Sequence, residues 1–482
     1  MSLATAVKIA LAFVQEPDAI EAYHWLYARH LAAGYYDHPG MIGWWVKLST
    51  ATFGHSLIAL RLPTIAGSAC AIWIAFLAGR RMYDERAGRL AAFLVGLVPL
   101  LARFSSEAAP DGPLLLFWTC SLWALAHALD GGDRRWWLAA GLFVGAAMDS
   151  KYTAAYLPAA VAAYLALSPE HRSWFRRPEP YLAGLVAMVV FSPTLVWNAQ
   201  NEWQSFSYQG LGRLHGSDTF DLNHAWVFFR RQVGLVTPFV LAGVIATSIG
   251  IVRRWTQARW CDRFNLVCGL PLLLLFFALS LFRSVRAHWP APAYLSLILL
   301  SASAVSRGAG VWRALHHGTL ILLAAAGTAL PIYLATLPSE QRQSWEPVAA
   351  HVRRLGPDFV MAVDYHDAAQ LAFHLHPIKA WDLTPAGFGG KSFRNWWRPE
   401  NYAGRNAVVV LPKNVRPEEL EAVRRCFARL EGPERVEMTA WRQAPRTLEL
   451  WVGHDYRPPA GTSSGTEIRD PAATNLREAN EE

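Results

Sequence analysis

Long apolar runs separated by short polar segments fill the first two thirds of the chain, and the pattern changes near Pro338. Runs able to cross about 30 Å of hydrocarbon predict membrane helices. They fall at about Ile58 to Gly79, Leu90 to Phe104, Pro110 to Leu129, Trp136 to Ser150 and Thr153 to Leu167. Further runs cover Tyr181 to Trp197, Val233 to Val252, Leu266 to Phe282, Trp289 to Val305 and Gly318 to Leu337. The opening run Leu3 to Val14 brings the expectation to about eleven spans, several short enough to require tilt or burial within a bundle. Between the first two runs, Glu21 to Ala33 and Pro39 to Phe53 read as amphipathic helices whose Trp and Tyr content suits a membrane interface.

Beyond Pro338 the periodicity is that of a small α/β or α+β domain. Phe359 to Val363, Ala407 to Leu411 and Thr447 to Val452 predict strands, and Arg416 to Leu430 predicts a helix. The expected layout is a transmembrane domain over 1–337, a soluble domain over 338–457 and a polar, disordered tail over 458–482. The fold class is therefore a polytopic α-helical membrane protein with a small C-terminal domain outside the membrane. No internal repeat is visible, and Glu16 to Asp18 offers no signal-peptidase site.

Composition agrees, with 53% hydrophobic and only 17% charged residues, against about a quarter charged in soluble domains. The net charge of +8 does not imply nucleic acid, because the basic residues sit in short loops on every second connection. Arg80, Arg81, Arg86 and Arg89 form one cluster, Arg172, Arg176 and Arg177 another, and Arg253, Arg254, Arg259 and Arg263 a third. This positive-inside bias predicts a cytoplasmic N-terminus and an extracytoplasmic C-terminal domain. The loops Asp18 to Phe53, Ser105 to Ala109, Asp149 to Tyr152, Asn198 to Arg230 and Arg283 to His288 then face outward. Of five cysteines none forms a CxxC pair, and the sixteen histidines show no ligand spacing, so neither a disulfide framework nor a metal site is expected. No glycine-rich nucleotide motif occurs.

The outward loops hold the chemistry, since ionisable groups at membrane depth are costly unless they act. Glu21-Ala-Tyr-His-Trp and Gly34-Tyr-Tyr-Asp-His-Pro-Gly lie in order in the first of them, and Arg61-Leu-Pro follows at the start of the next span. Ala109-Pro-Asp-Gly-Pro, Ser150-Lys-Tyr152, Phe191-Ser-Pro-Thr-Leu-Val-Trp-Asn198 and His288-Trp-Pro-Ala-Pro follow. As an ordered set these segments resemble the bacterial polyprenyl-phosphate-sugar glycosyltransferases of the GT-C superfamily. That group contains the protein O-mannosyltransferases and the aminoarabinose transferase acting on lipid A. The resemblance implies a polyprenyl-phosphate sugar donor, a lipid or polysaccharide acceptor, surrounding membrane lipids, no cofactor, and inversion at the anomeric carbon in the inner membrane. The family's loop motif reads Asp-Glu-Ala-Tyr-Tyr-Trp with the Asp as catalytic carboxylate, but Ile20 stands at that position here.

The candidate catalytic carboxylates are Glu21, Asp18 and Asp111. Two of them also have a plainer reading: Glu21 as a helix-start residue, Asp111 as an N-cap before Gly-Pro. Asp37 and His38, before Pro39, match a position where the family has an acid and a basic residue, and the resemblance implies that the basic member, here His38, meets the lipid phosphate. Lys151, in a loop too short to be solvated, is either paired to Asp149 or aimed at an anionic ligand. Tyr152 stands beside it. Arg283, Arg286 and His288 interrupt the positive-inside pattern, which a local phosphate site explains. Rival readings are a lipid-binding scaffold that has lost catalysis, which Ile20 favours, and a transporter. The transporter would place charges near the midplane and show inverted repeats.

Overall fold

The computed structural model describes residues 16–104, 106–131, 133–212, 220–307, 344–387, 390–438 and 446–458. The expected opening span, the span at 318–337 and the tail after 458 lie outside these residues. Contacts divide the chain into two units, one holding Leu31–Ala335 and the other joining Gln15–His30 to Thr336–Glu482.

The first unit is helical. Among the described residues, four helices are long and apolar enough to span: Leu57–Met82, Asp111–Leu129, Glu179–Gln200 and Trp260–Leu279. Other predicted spans are shorter helices, among them Trp136–Ser150, Tyr156–Leu167 and Ala291–Arg307. Two predicted spans are broken. The run at Leu90 to Phe104 becomes Glu85–Leu97 and Pro99–Arg103, because Pro99 pushes Val98 out of helical geometry to φ −59°, ψ 121°. The run at Val233 to Val252 is divided between Leu222–Val236 and Pro238–Arg253, bent by 105°. At the break Thr237 takes φ 74° and Pro238 begins the second helix, since proline offers no N–H to continue the first.

Small residues set the closest helix approach. A Cβ on Gly141 would meet the Ala183 carbonyl oxygen at 2.3 Å, and one on Gly145 would meet the Ala187 oxygen at 2.7 Å. Gly141 and Gly145 are one helical repeat apart, so one face of Trp136–Ser150 lies flat on Glu179–Gln200. The next residue on that face is Asp149, which meets Thr194.

The second unit contains a five-stranded mixed sheet of β1 (Phe359–Ala362), β2 (Lys379–Trp381), β3 (Ala407–Pro412), β4 (Phe427–Met438) and β5 (Arg446–Tyr456). Its order is β2-β1-β3-β5-β4. The first three strands are parallel, and β5 pairs antiparallel with β3 and β4. The predicted helix at Arg416 to Leu430 ends at Arg425; Phe427 onward pairs with β5 instead, tertiary pairing overriding local helix preference. Helix α1 (Ala19–Arg29) also belongs to this unit and packs on α2 (Tyr365–His374). Every residue from Glu21 to Ala28 is buried. The expected interfacial helix is thus a buried one, because its aromatics surround the axis rather than line one face. By contrast, Met41–Phe53 in the first unit does keep Leu48 and Phe53 exposed.

Candidate active site

Asp111 opens the helix Asp111–Leu129, but it is not the cap. Pro110 holds the cap position and no side chain caps the helix. The Asp111 carboxylate is freed for a tertiary partner: Lys151 Nζ donates to both of its oxygens at 2.9 Å. Close packing at the helix start depends on Gly112, whose Cβ would meet Thr64 Cγ2 at 2.6 Å.

Lys151 ends the helix Trp136–Ser150 with extended backbone at φ −159°, ψ 136°. That turn swings its side chain away from Asp149 and onto Asp111. Side-chain exposure is 12% for Lys151 and 5% for Asp111, so both charges are taken out of water together. Asp149 has a separate partner: the Thr194 hydroxyl lies 2.7 Å from its Oδ1 and 3.1 Å from the Ala33 carbonyl oxygen.

His38 and His288 both lie close enough to Asp111 for their charge to act on it. His288 precedes Ala291–Arg307, with its ring 5.3 Å from that of Phe104. Burial, then the charge of Lys151, push its imidazole down to about 3 against the opposing pull of Asp111, and Arg286 and Arg103 add to the depression. His288 is neutral at pH 7. Arg103, two residues before the predicted outer segment, is a cation that the sequence reading passed over; it also pairs with Glu107 at 3.1 Å.

Asp37 and His38 sit on a tight turn. Gly34 and Pro39 form an antiparallel bridge, and the Tyr35 N–H donates to the His38 carbonyl at 2.9 Å. The Asp37 carbonyl accepts from Gln209, and its carboxylate is near enough to influence Tyr152. The Tyr152 hydroxyl lies 2.8 Å from Ser205 Oγ and accepts from Asn198 Nδ2 at 3.3 Å. Asn198 and Thr194, buried polar residues in an otherwise apolar helix, lie in a segment that the sequence reading quoted without giving either a role. Their burial was the missing signal.

Asp18 and Glu21 belong to the second unit. Asp18 is the N-cap of α1, its Oδ1 accepting from the Ile20 N–H at 2.9 Å. Glu21 closes the capping box, Oε2 accepting from the Asp18 N–H at 3.1 Å. Among the described residues, no group of three or more His, Cys, Asp or Glu side chains could hold a metal ion.

The dolichyl-phosphate-mannose-protein mannosyltransferase family matches residues 37–197, a stretch that starts at Asp37 and includes Asp111, Lys151 and Tyr152. An undecaprenyl phosphate-alpha-4-amino-4-deoxy-L-arabinose arabinosyl transferase of Pseudomonas aeruginosa is 27% identical over 74% of this chain and 65% of its own length. The chain therefore spans just under two thirds of that relative. A lipid A galacturonosyltransferase of Rhizobium johnstonii is 27% identical over 58% of this chain and 59% of its own. The crystal structure of ArnT from Cupriavidus metallidurans bound to undecaprenyl phosphate superposes with a TM-score of 0.64. It covers 96% of this chain and 98% of that one at 15% identity, a likeness of fold.

Proposed function

We propose that the chain is a glycosyltransferase of the GT-C superfamily, a reading its family match, relatives and fold support, and that it transfers a sugar from a polyprenyl-phosphate donor to an extracytoplasmic acceptor. The observation that carries the reading is the buried Asp111–Lys151 pair with His38 and His288 beside it. A buried ion pair is weak evidence for stability, because desolvation offsets most of its attraction. An arriving phosphate gives the pair a purpose. Lys151, Arg286 and His38 hold the donor phosphate, and the ammonium shared with it loosens its hold on Asp111.

Asp111 then takes the proton of the acceptor hydroxyl as that oxygen attacks the anomeric carbon. The bond from that carbon to the phosphate oxygen breaks, and its electron pair stays on the phosphate, facing fixed positive charge. One displacement inverts the anomeric carbon. Asp37 and Tyr152 orient the reactants, and neutral His288 serves as hydrogen-bond partner. Asp18 and Glu21 hold the start of α1. The reading calls on no cofactor or metal.

The names of the relatives favour lipid A or another glycolipid as acceptor over protein. The basic loops favour an inner-membrane protein with a cytoplasmic N-terminus and a periplasmic C-terminal domain. Protein in nanodiscs, supplied with undecaprenyl-phosphate sugars and glycolipid acceptor, should release undecaprenyl phosphate, read by mass spectrometry. Asp111→Asn should slow release by about 10²–10⁴-fold. Release at the full rate by that variant would sink the assignment. Ile20 favours a second reading, a lipid-binding member without catalysis. It is selected if undecaprenyl phosphate binds and no acceptor is ever modified.

A further inference from the structure

Asp149 is a buried acid for which the transfer step has no use. It is 1% exposed, and Thr194, which it meets, is fully buried. Lys151 is committed to both oxygens of Asp111, and Asp149 has no ion pair among the described residues. Its Oδ1 meets the Thr194 hydroxyl, while its Oδ2 has no hydrogen-bond partner there. An ionised carboxylate offers about four lone-pair sites, and burying that charge with one hydroxyl for company is costly.

Counting protons leads the same way. Thr194 Oγ1 stands 2.7 Å from Asp149 Oδ1 and 3.1 Å from the Ala33 carbonyl oxygen, yet a hydroxyl has one proton to give. With Asp149 ionised, both neighbours are acceptors and one goes without. With a proton on Asp149, each contact has its donor: Asp149 donates to Thr194, and Thr194 donates to Ala33. A spacing of 2.7 Å is ordinary for one hydroxyl donating to another.

Ala33 opens the turn that carries Asp37 and His38. Trp44 Nε1 donates to the Ala32 carbonyl at 2.8 Å, and Gly34 lies against Trp197, where a Cβ would come within 2.9 Å of the ring. Thr194 is thus the polar pin where three elements meet. They are this turn, the end of Trp136–Ser150 just before Lys151, and Glu179–Gln200, whose Asn198 donates to Tyr152. Apolar contacts leave such elements free to slide, whereas a hydrogen bond fixes their register. The titratable groups on the surrounding elements are Asp37, His38, Asp111, Lys151, Tyr152 and the exposed Lys47, and the facing stretch 183–198 carries no charged residue.

We propose that Asp149 carries its proton in the folded protein, and that Asp149 and Thr194 are positioning residues. Their hydrogen-bonded chain runs to the Ala33 carbonyl and holds the Asp37–His38 turn in register with Lys151. The positioning role rests on the phosphate-site reading given under the proposed function; the proton does not.

The test uses the full chain in maltoside micelles, which contribute no ester carbonyl. The infrared difference between wild type and Asp149→Asn at pH 7 should show the loss of one protonated-carboxyl band. Loss of carboxylate bands instead would overturn the proton assignment. Undecaprenyl phosphate binding, read by native mass spectrometry, should weaken about three- to tenfold in Thr194→Val, the worth of one hydrogen bond. Thr194→Ala, which adds no methyl contact, carries the same expectation and replaces the valine variant if that one does not fold. Thr194→Ser keeps the hydroxyl, and the amide of Asp149→Asn replaces the acid as donor, so both should bind within about twofold of wild type. Wild-type affinity in the Thr194 variants that lack a hydroxyl would overturn the positioning role. So would an equal loss in Asp149→Asn. A wild type that binds no undecaprenyl phosphate would sink the phosphate reading and the positioning role with it, and the infrared band would still decide the proton.

Discussion

Replacing Lys151 by Met keeps the length and apolar stem of the side chain and removes its charge. Asp111, 4% exposed, would then face the helix start without the ammonium that donates to both its oxygens at 2.9 Å. At that separation and an effective dielectric of about 20, the gross attraction is about 6 kcal/mol. Most of it offsets the desolvation of the two groups, so the intact pair adds little net stability. Breaking it from one side leaves the desolvation uncompensated, and the expected loss is about 3–5 kcal/mol. At about 2 °C per kcal/mol for a long chain, the melting temperature in detergent should fall by roughly 6–10 °C. Asp111→Asn should fall comparably, because it strands Lys151. The double variant Asp111→Asn/Lys151→Met removes both charges and should be more stable than either single one. A thermal-shift double-mutant cycle measures this directly. Losses that add within about 0.5 kcal/mol would show that the two groups are not an energetic unit, and the mechanism built on their sharing a proton acceptor and a phosphate would fall with it.

Gly145→Val should lower stability by about 1–3 kcal/mol through overpacking, since its Cβ would meet Val190 and the Ala187 carbonyl. Gly184→Ala, with nothing within 4 Å of the added Cβ, should be tolerated; equal melting temperatures for the two would refute the close-packing argument. Asp18→Ala should cost about 1 kcal/mol as a lost N-cap, whereas Asp18→Ser should keep both stability and turnover. A folded Asp18→Ser variant without turnover would return that residue to the chemistry. Burial raises the Asp382 carboxyl to about 6, against hydrogen bonds from Gly390 and Thr384 that favour its charged form. A folded-state value above the unfolded one of about 3.9 means the folded unit holds its proton longer. Stability should therefore fall as pH rises from about 4 to 6, and Asp382→Asn should flatten that slope in pH-dependent melting curves.

Periodicity alone located most helices within a few residues, because hydrocarbon burial demands long apolar runs whatever the surroundings. Leu57–Met82, Asp111–Leu129 and Trp136–Ser150 were all legible in this way. So were the polar positions Asp37, Asp111 and Lys151 at the edges of apolar runs, since charge in such short connections stands out. Breaks at Val98 and Thr237 depended on how a proline redirects the chain, which hydropathy averages away. Partner choice was not legible at all. Asp18, Glu21 and Asp111 look alike as acids near helix starts, yet two close a capping box and the third abandons the cap for a lysine forty positions away. Lys151 could have paired with Asp149, its neighbour but one, had the extended backbone at its own position not carried the side chain the other way. Local preference selects the element, but the energy of a buried charge depends on what the whole fold brings within about 3 Å of it. That distance exists only in the folded chain.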